Sequence, residues 1–295
     1  MHEFLDKYSV AMTALFFKKS QWFRESVESP GFEDHLNHIE MPSLDIKAEG
    51  FYEIEAETLA GKLDPAFHVV KWLGPEYPTL IYHHGNNERP FNYGFATKNT
   101  FKSAILAEKD LFNANLISVR APFHNDGMKA YLEKMRDLSN FTAMLSASVK
   151  LMEMLVQYLK SNGCSKVAVA GISLGGWVVN LHRSYYNSAD VYLPIFAGAA
   201  LDDLFLTSYY KKLASDLVKE NPDLIRNTLN FEEEYKQIKD DNVFPLLARF
   251  DQIIEFDRQK RCYNEKVISV IDKGHITGAL ASEELRSHLL NHLNS

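Results

Sequence analysis

Apolar residues along the chain follow two rhythms. Short, nearly unbroken runs bounded by turn-forming residues occur in "TLIYHHG", "ANLISVRAPF", "KVAVAGIS" and "ADVYLPIFAGAA", and again in "VFPLLARFD" and "KVISVID". Such runs fit strands buried on both faces of a sheet. Between them the period lengthens to that of a helix. The segment from Tyr93 to Asn113 is one example; the segment from Met128 to Ser161 is another, with Leu132, Met135, Leu138, Phe141, Leu145, Val149 and Met152 in register. Strands alternating with helices predict a mostly parallel sheet with helices on both faces. After Gly50, "FYEIEAETLAGKLDPAFHVVKWLG" reads as two strand-like runs around a turn at Gly61 to Pro65, a hairpin.

Two segments depart from the alternation. Leu201 to Asn242 is charged and helical in pattern, with no strand until Val243, and reads as an insert that either covers a sheet edge or caps a pocket. The N-terminus carries an apolar stretch, Val10 to Phe17, with acids (Glu3, Asp6) before it and Lys18 and Lys19 after it, the reverse of a secretory signal. It is also well short of the roughly 20 residues a spanning helix needs. Phe4, Tyr8, Met12, Leu15 and Phe16 recur at helical spacing, which predicts a helix packed on the body through that face, with an anchor or dimer element as the alternative.

Composition narrows the partners. The 295 residues are 46% hydrophobic and 24% charged, enough for a sizeable core, and the net charge of -7 argues against a nucleic-acid footprint and against attraction to anionic membranes. A small-molecule substrate is the expectation, with a homo-oligomer neither indicated nor excluded. Two cysteines, Cys164 and Cys262, fit a reducing, cytoplasmic setting.

The candidate chemistry centres on "KVAVAGISLGGWVVNL". Gly171, Ile172, Ser173, Leu174 and Gly175 form G-x-S-x-G, a pattern that glycine abundance alone would place in roughly one chain of this length in ten. Its setting is more specific, because an apolar strand leads in and a helix leads out, as a strained turn projecting a serine hydroxyl requires. A serine needs a base to take its proton and an acid to orient that base. His275 in "VIDKGHITG" follows the last strand-like run and is the candidate base, whereas His288 and His292 sit in a terminal helical segment and read as structural. Asp251 ends "VFPLLARFD" and gives the chain order nucleophile, acid, histidine. Asp202 and Asp203 compete for the role but open a helical segment they could cap, and Glu255, Asp257 and Asp272 are further acids nearby. The Leu174 N–H is one candidate donor to an oxyanion, and Asn86, or next Asn87, the second. Adjacent His83 and His84 invite a metal reading, but neighbours in a strand point to opposite faces, so neither a metal nor a cofactor is expected. His124 follows another strand and reads as structural, with substrate contact as the alternative.

With "HHGNN", "GISLGG", "RFDQII" and "KGH" in this order, the chain resembles the α/β-hydrolases of the serine esterase, lipase and acyl-peptidase type over residues 50–295. The resemblance implies an eight-stranded mostly parallel sheet, Ser173 as nucleophile, Asp251 as acid, His275 as base, and Leu174 with Asn86 as oxyanion donors. It also implies that an insert after the sixth strand, here 201–242, forms a lid. Asn86 departs from the pattern, standing where many relatives carry a second glycine, as does Ala248, three residues before the acid. The organisation expected is an N-terminal helical extension, 1–49, packed on a hydrolase domain, 50–295. The activity expected is cleavage of a carboxylic ester or related acyl compound through an acyl-enzyme, with an acyltransferase or peptidase as alternatives that the triad does not separate, and a non-catalytic binding protein on the same fold as a third. Pocket shape is expected to depend on the insert and on loops near Pro122, Trp177 and Tyr209.

Overall fold

The structure is a computed structural model describing residues 1–16, 21–125 and 127–293. Phe17, Lys18 and Lys19 lie outside the described residues, as does the side chain of Phe16. The strands are β1 (Gly50–Glu53), β2 (Ala56–Thr58), β3 (Gly61–Leu63), β4 (Ala66–Lys71), β5 (Thr79–His83), β6 (Asn115–Arg120), β7 (Val167–Ile172), β8 (Val191–Ile195), β9 (Leu246–Ala248) and β10 (Ser269–Ile271). Eight of them form one sheet in the order β1-β4-β6-β5-β7-β8-β9-β10. The sheet is antiparallel across β1, β4 and β6 and parallel from β6 through β5 to β10.

Every residue of β5, β6, β7 and β8 is buried, so these strands are covered on both faces and do not alternate between apolar and solvated positions. The alternation survives in what each residue packs against. Ile81, Ile117, Val119, Val167 and Val169 join one core with Phe141, Leu145, Val149 and Met152 of the helix Leu138–Ser161 and with the helix Leu174–Tyr185. Leu80, Tyr82, Leu116, Ala168 and Ala170 join a second core with Phe101, Leu285 and Leu289, the last two from the helix Ser282–Leu293. The sheet is thus covered on both faces, as its pattern predicts.

Four local expectations are corrected. The hairpin after Gly50 is nested: β1 pairs with β4, and β2 pairs with β3 inside it, so the turn lies at Leu59 and Ala60 and Gly61 already belongs to a strand. The helical pattern from Tyr93 to Asn113 yields only a π turn (Phe101–Ile105) and a 3-10 stretch (Leu106–Leu111). The segment from Met128 to Ser161 is two helices, broken before Leu138 where the Asp137 carboxylate accepts the Ser139 N–H at 2.8 Å, an N-cap that starts a new helix. The N-terminal helix, His2–Phe16, packs through the face opposite the expected one. Phe4, Tyr8 and Leu15 are exposed at 68%, 54% and 70%, while Asp6 and Val10 are buried. Among the described residues between 21 and 49 there is one further helix, Phe32–His38. Among the described residues no helix is long and apolar enough to cross a membrane.

Between β8 and β9, residues 201–242 form short helices and no strand. Their first part turns toward the C-terminal ends of the strands, and Leu201, Leu204, Phe205, Tyr210 and Leu213 face the cavity described below. Their later part, including the helix Glu232–Gln237, packs on the helix Leu174–Tyr185.

Candidate active site

β7 ends at Ile172, and the chain turns through Ser173 into a helix beginning at Leu174. Ser173 has φ 54° and ψ −111°, a positive φ that is costly for a residue with a Cβ. The turn is held by the Ser173 N–H donating to the Ile195 carbonyl of β8 at 2.8 Å. All three flanking glycines are sterically required: a Cβ on Gly171 would collide with the Gly175 carbonyl oxygen. A Cβ on Gly175 would collide with the His83 carbonyl at the end of β5, and one on Gly176 would lie 2.7 Å from Ala197 Cβ. The motif's glycines thus let the helix start against the strand ends, which is what directs the serine outward.

β9 and β10 lie beside β8 and deliver the other two groups to the same edge. Asp251 follows β9 and His275 opens a short helix, His275–Ala279, after β10. His275 Nε2 lies 3.0 Å from Ser173 Oγ, and His275 Nδ1 donates to Asp251 Oδ2 at 2.7 Å. The other Asp251 oxygen, Oδ1, accepts the backbone N–H groups of Ile253 and Ile254, both at 2.8 Å. Those bonds fix which oxygen faces the histidine. Burial pushes the Asp251 carboxyl up from its ordinary value, against the opposing pull of His275 and the Ile254 N–H. Burial draws the His275 imidazole down, but the Asp251 charge and hydrogen bond, with Asp6 beyond them, outweigh it and leave His275 above the ordinary histidine value. The set resembles a nucleophile, base and acid in hydrogen-bond reach of one another.

A cavity of about 370 Å³ opens on Ser173 and His275. Its lining is mostly apolar and includes Trp177, Leu204 and Phe205. Of the residues expected to shape it, Trp177 lines it; Tyr210 does so in place of Tyr209, and Pro122 does not. Asn86 and Asn87 both reach it. Asn86 is gripped twice: its side-chain oxygen accepts from the Tyr131 hydroxyl, and His124 Nε2 lies 3.0 Å from its carbonyl. The Leu174 N–H lies in the first turn of its helix, where no intrahelical acceptor exists. His124 thus serves the loop rather than lining the cavity, its Nδ1 lying 3.1 Å from the Pro122 carbonyl.

The competing acids are engaged elsewhere. Asp202 accepts from Asn230 Nδ2 at 2.8 Å, and Asp203 pairs with Arg258. Both lie within the first turn of the helix Asp202–Leu206 rather than at its N-cap, Leu201, so the capping expectation is corrected. Asp257 pairs with Lys260 and Asp272 with Arg249, at 2.8 and 2.6 Å, and Glu255 precedes the helix Phe256–Gln259 without a side-chain cap bond. The expectation that His83 and His84 face apart is also corrected. Their rings stack at 4.8 Å between centroids, because β5 ends at His83 and strand alternation no longer holds at His84. Among the described residues no three His, Cys, Asp or Glu side chains converge as metal ligands would. His288 Nε2 lies 3.0 Å from the Phe244 carbonyl and the His292 ring stacks on Phe244, both on the terminal helix.

Two residues at the site escaped the sequence reading. Phe196, with φ 52°, follows β8 and places its ring 5.9 Å from the His275 ring; a Cβ on Gly278 would come within 2.6 Å of it. Asp6, fully buried, sends its carboxylate from the N-terminal helix into the backbone beside His275. In the sequence Asp6 shares a helical face with Val10 and Thr13, with Glu3 one turn before it, and nothing there marks it as part of a site.

Residues 116–285, more than half of the chain, match the family described as alpha/beta hydrolase domain containing 18. No curated protein matches in sequence. Among solved structures, acetyl xylan esterase 1 from Thermoanaerobacterium sp. JW/SL YS485 is similar at a TM-score of 0.57 and 14% identity, over 90% of this chain and 91% of that one. The esterase Pf2001 of Pyrococcus furiosus is similar at a TM-score of 0.52 and 14% identity, over 86% of this chain and 97% of that one. The acylaminoacyl peptidase of Pyrococcus horikoshii is similar at 0.53 and 13% identity over 82% of this chain, which spans only 40% of the peptidase. At these identities the likeness shows the fold.

Proposed function

The chain belongs to the alpha/beta hydrolase domain containing 18 family, and on that premise we propose that it is a serine hydrolase cleaving a carboxylic ester or related acyl compound through an acyl-enzyme. The observation that carries the reading is the line of hydrogen bonds from Ser173 Oγ to His275 Nε2, 3.0 Å, and from His275 Nδ1 to Asp251 Oδ2, 2.7 Å, on a serine held at positive φ.

In this reading His275 takes the Ser173 proton as Oγ adds to the acyl carbon, and Asp251 stabilises the imidazolium that forms. The carbonyl oxygen becomes an oxyanion, received by the Leu174 N–H and a donor from Asn86. Collapse breaks the bond to the leaving oxygen, which receives the proton from His275. Water then adds to the acyl carbon, giving His275 a proton that returns to Ser173 as the acid leaves. No cofactor enters these steps. The acyl group would lie against Trp177, Leu204 and Phe205, with the first part of 201–242 as a cap over it and residues 1–49 packed on the hydrolase domain. A cytoplasmic location belongs to the same reading, supported by Cys164 and Cys262 standing free.

The test is a panel of p-nitrophenyl esters of short and long acyl chains with the wild-type protein and Ser173→Ala. The expected result is turnover by the wild type, lost in Ser173→Ala with the thermal midpoint nearly unchanged. Turnover by Ser173→Ala at the wild-type rate would end the reading.

A further inference from the structure

The N-terminal helix contributes one charged side chain to the site, and its position is unusual. Asp6 is 0% exposed, and its carboxylate is filled by backbone donors from two different loops. Its Oδ2 accepts the N–H of His275 at 2.8 Å and that of Gln252 at 3.2 Å; its Oδ1 accepts the N–H of Ile276 at 3.0 Å. His275 and Gln252 are, respectively, the candidate base and the residue next to the candidate acid. One carboxylate therefore ties together the loops after β9 and β10, on whose relative position the 2.7 Å His275–Asp251 bond depends.

The surroundings are fitted to this contact. Gly274 precedes the histidine, and a Cβ there would lie 2.8 Å from Asp6 Oδ2, so the glycine leaves room for the carboxylate. The same helix adds a second tie, His2 Nδ1 to Thr277 Oγ1 at 2.8 Å, and the His2 ring stacks on Phe250, next to the candidate acid. Packing alone does not call for an anion here, because burying a carboxylate is costly unless donors are arranged around it. These donors are the free N–H groups at the start of the His275–Ala279 helix and one from the Asp251 loop.

We propose that Asp6 is a positioning residue for the His275 base, its carboxylate clamping the His275 and Asp251 loops together from the N-terminal helix. The proposal rests on the serine-hydrolase reading above. Asp6 touches no reacting atom; it sets where the imidazole stands and adds a negative charge near it. Among the described residues, the charged and titratable groups facing His275 are Asp251 and Asp6, with His2 at Thr277 on the outer side. The N-terminal helix also walls the cavity through Ser9, Val10 and Thr13, so it belongs to the site on two counts.

The experiment compares Asp6→Asn and Asp6→Glu with the wild type in ester hydrolysis across pH, with Ser173→Ala in the same assay. Leu36→Ala, in the remote helix Phe32–His38, serves as a control for destabilisation alone. In Asp6→Asn we expect kcat to fall on the order of 10- to 100-fold, the scale of a misplacement of up to about 1 Å, with KM within threefold. The acid limb of kcat should move to lower pH, since a negative charge that raised the His275 value is gone. Asp6→Glu keeps the charge and should hold the acid limb in place, with kcat between the two. Leu36→Ala should lose thermal midpoint and neither kcat nor the limb. Unchanged kcat and an unmoved limb in a folded Asp6→Asn would overturn the proposal. Should Asp6→Asn fail to fold, Asp6→Glu decides: a reduced kcat at a wild-type midpoint supports the clamp, and a wild-type kcat overturns it. A Ser173→Ala protein that still turns over ester would instead sink the hydrolase reading, whatever Asp6 does.

Discussion

Replacing Asp251 by asparagine isolates the acid's contribution with almost no change of volume. In the native site Oδ1 accepts the Ile253 and Ile254 N–H groups at 2.8 Å and Oδ2 accepts from His275 at 2.7 Å. An asparagine that keeps its oxygen on the two N–H groups must turn its NH2 toward His275 Nδ1. The imidazole then presents a lone pair at Nδ1 and carries its proton on Nε2, 3.0 Å from Ser173 Oγ, where a lone pair is needed. Recovering the productive tautomer requires flipping the amide and leaving both buried N–H groups unpaired. At about 1–3 kcal/mol for each unpaired group, the productive state is reached only at a cost of roughly 2–6 kcal/mol. With about 1.4 kcal/mol per tenfold, turnover should fall between roughly 30-fold and 10⁴-fold. The upper figure agrees with the loss that the same replacement causes in serine proteases, about 10⁴. The assay is kcat on a chromogenic ester beside the thermal midpoint, with Asp202→Asn and Asp203→Asn as comparisons. Those two are bonded to Asn230 and Arg258 and should keep most of the activity. A folded Asp251→Asn within threefold of the wild-type kcat would refute the tautomer argument, as would a collapse confined to Asp202→Asn or Asp203→Asn.

Other consequences follow from the same geometry. Because His275 must be neutral to act and is held above the ordinary value, activity should fall on the acid side with a midpoint above about pH 6.5; a full rate retained at about pH 4.5 in the kcat profile would contradict this. Gly175→Ala would drive a Cβ into the His83 carbonyl, so the variant should lose about 1–3 kcal/mol or more of stability in a denaturant titration, along with its ester turnover. His288 is buried and drawn down from 6.5 to about 4 by burial and by His292. The unfolded chain therefore binds a proton that the folded chain refuses between those values, and stability should drop on acidification across that window, by about 3 kcal/mol for this residue. His288→Gln should flatten the fall in thermal midpoint between pH 6.5 and 4, and an unaltered slope would show that the residue is not the source.

How much of this was legible in the sequence depends on the range of each signal. The central strands were readable because burial on both faces makes each one a continuous apolar run, as in Val167–Ile172. Ser173 was readable because the turn that strains it needs glycines at fixed offsets, and Gly175 and Gly176 meet neighbouring backbone and side chain for that reason. His275 and Asp251 were readable from their place after strands, though the bond between them spans 24 residues and only the fold displays it. The N-terminal helix was misread because its exposed face, Phe4, Tyr8 and Leu15, is the more apolar one. Hydrophobic periodicity has no means of finding a buried acid whose partners lie 269 and 270 residues away, and Asp6 is such a residue. The nested β2–β3 hairpin and the break before Leu138 were lost for a local reason: a few turn and cap residues decided them inside longer periodic stretches.

The central claim is that Ser173 is a nucleophile activated by His275. Labelling with a fluorophosphonate, followed by peptide mass spectrometry, tests it without requiring the natural substrate to be known. The account predicts one stoichiometric adduct, on Ser173, that is lost in Ser173→Ala and forms more slowly in Asp251→Asn. An adduct on another residue, or ester turnover by a protein whose Ser173 stays unlabelled, would contradict it.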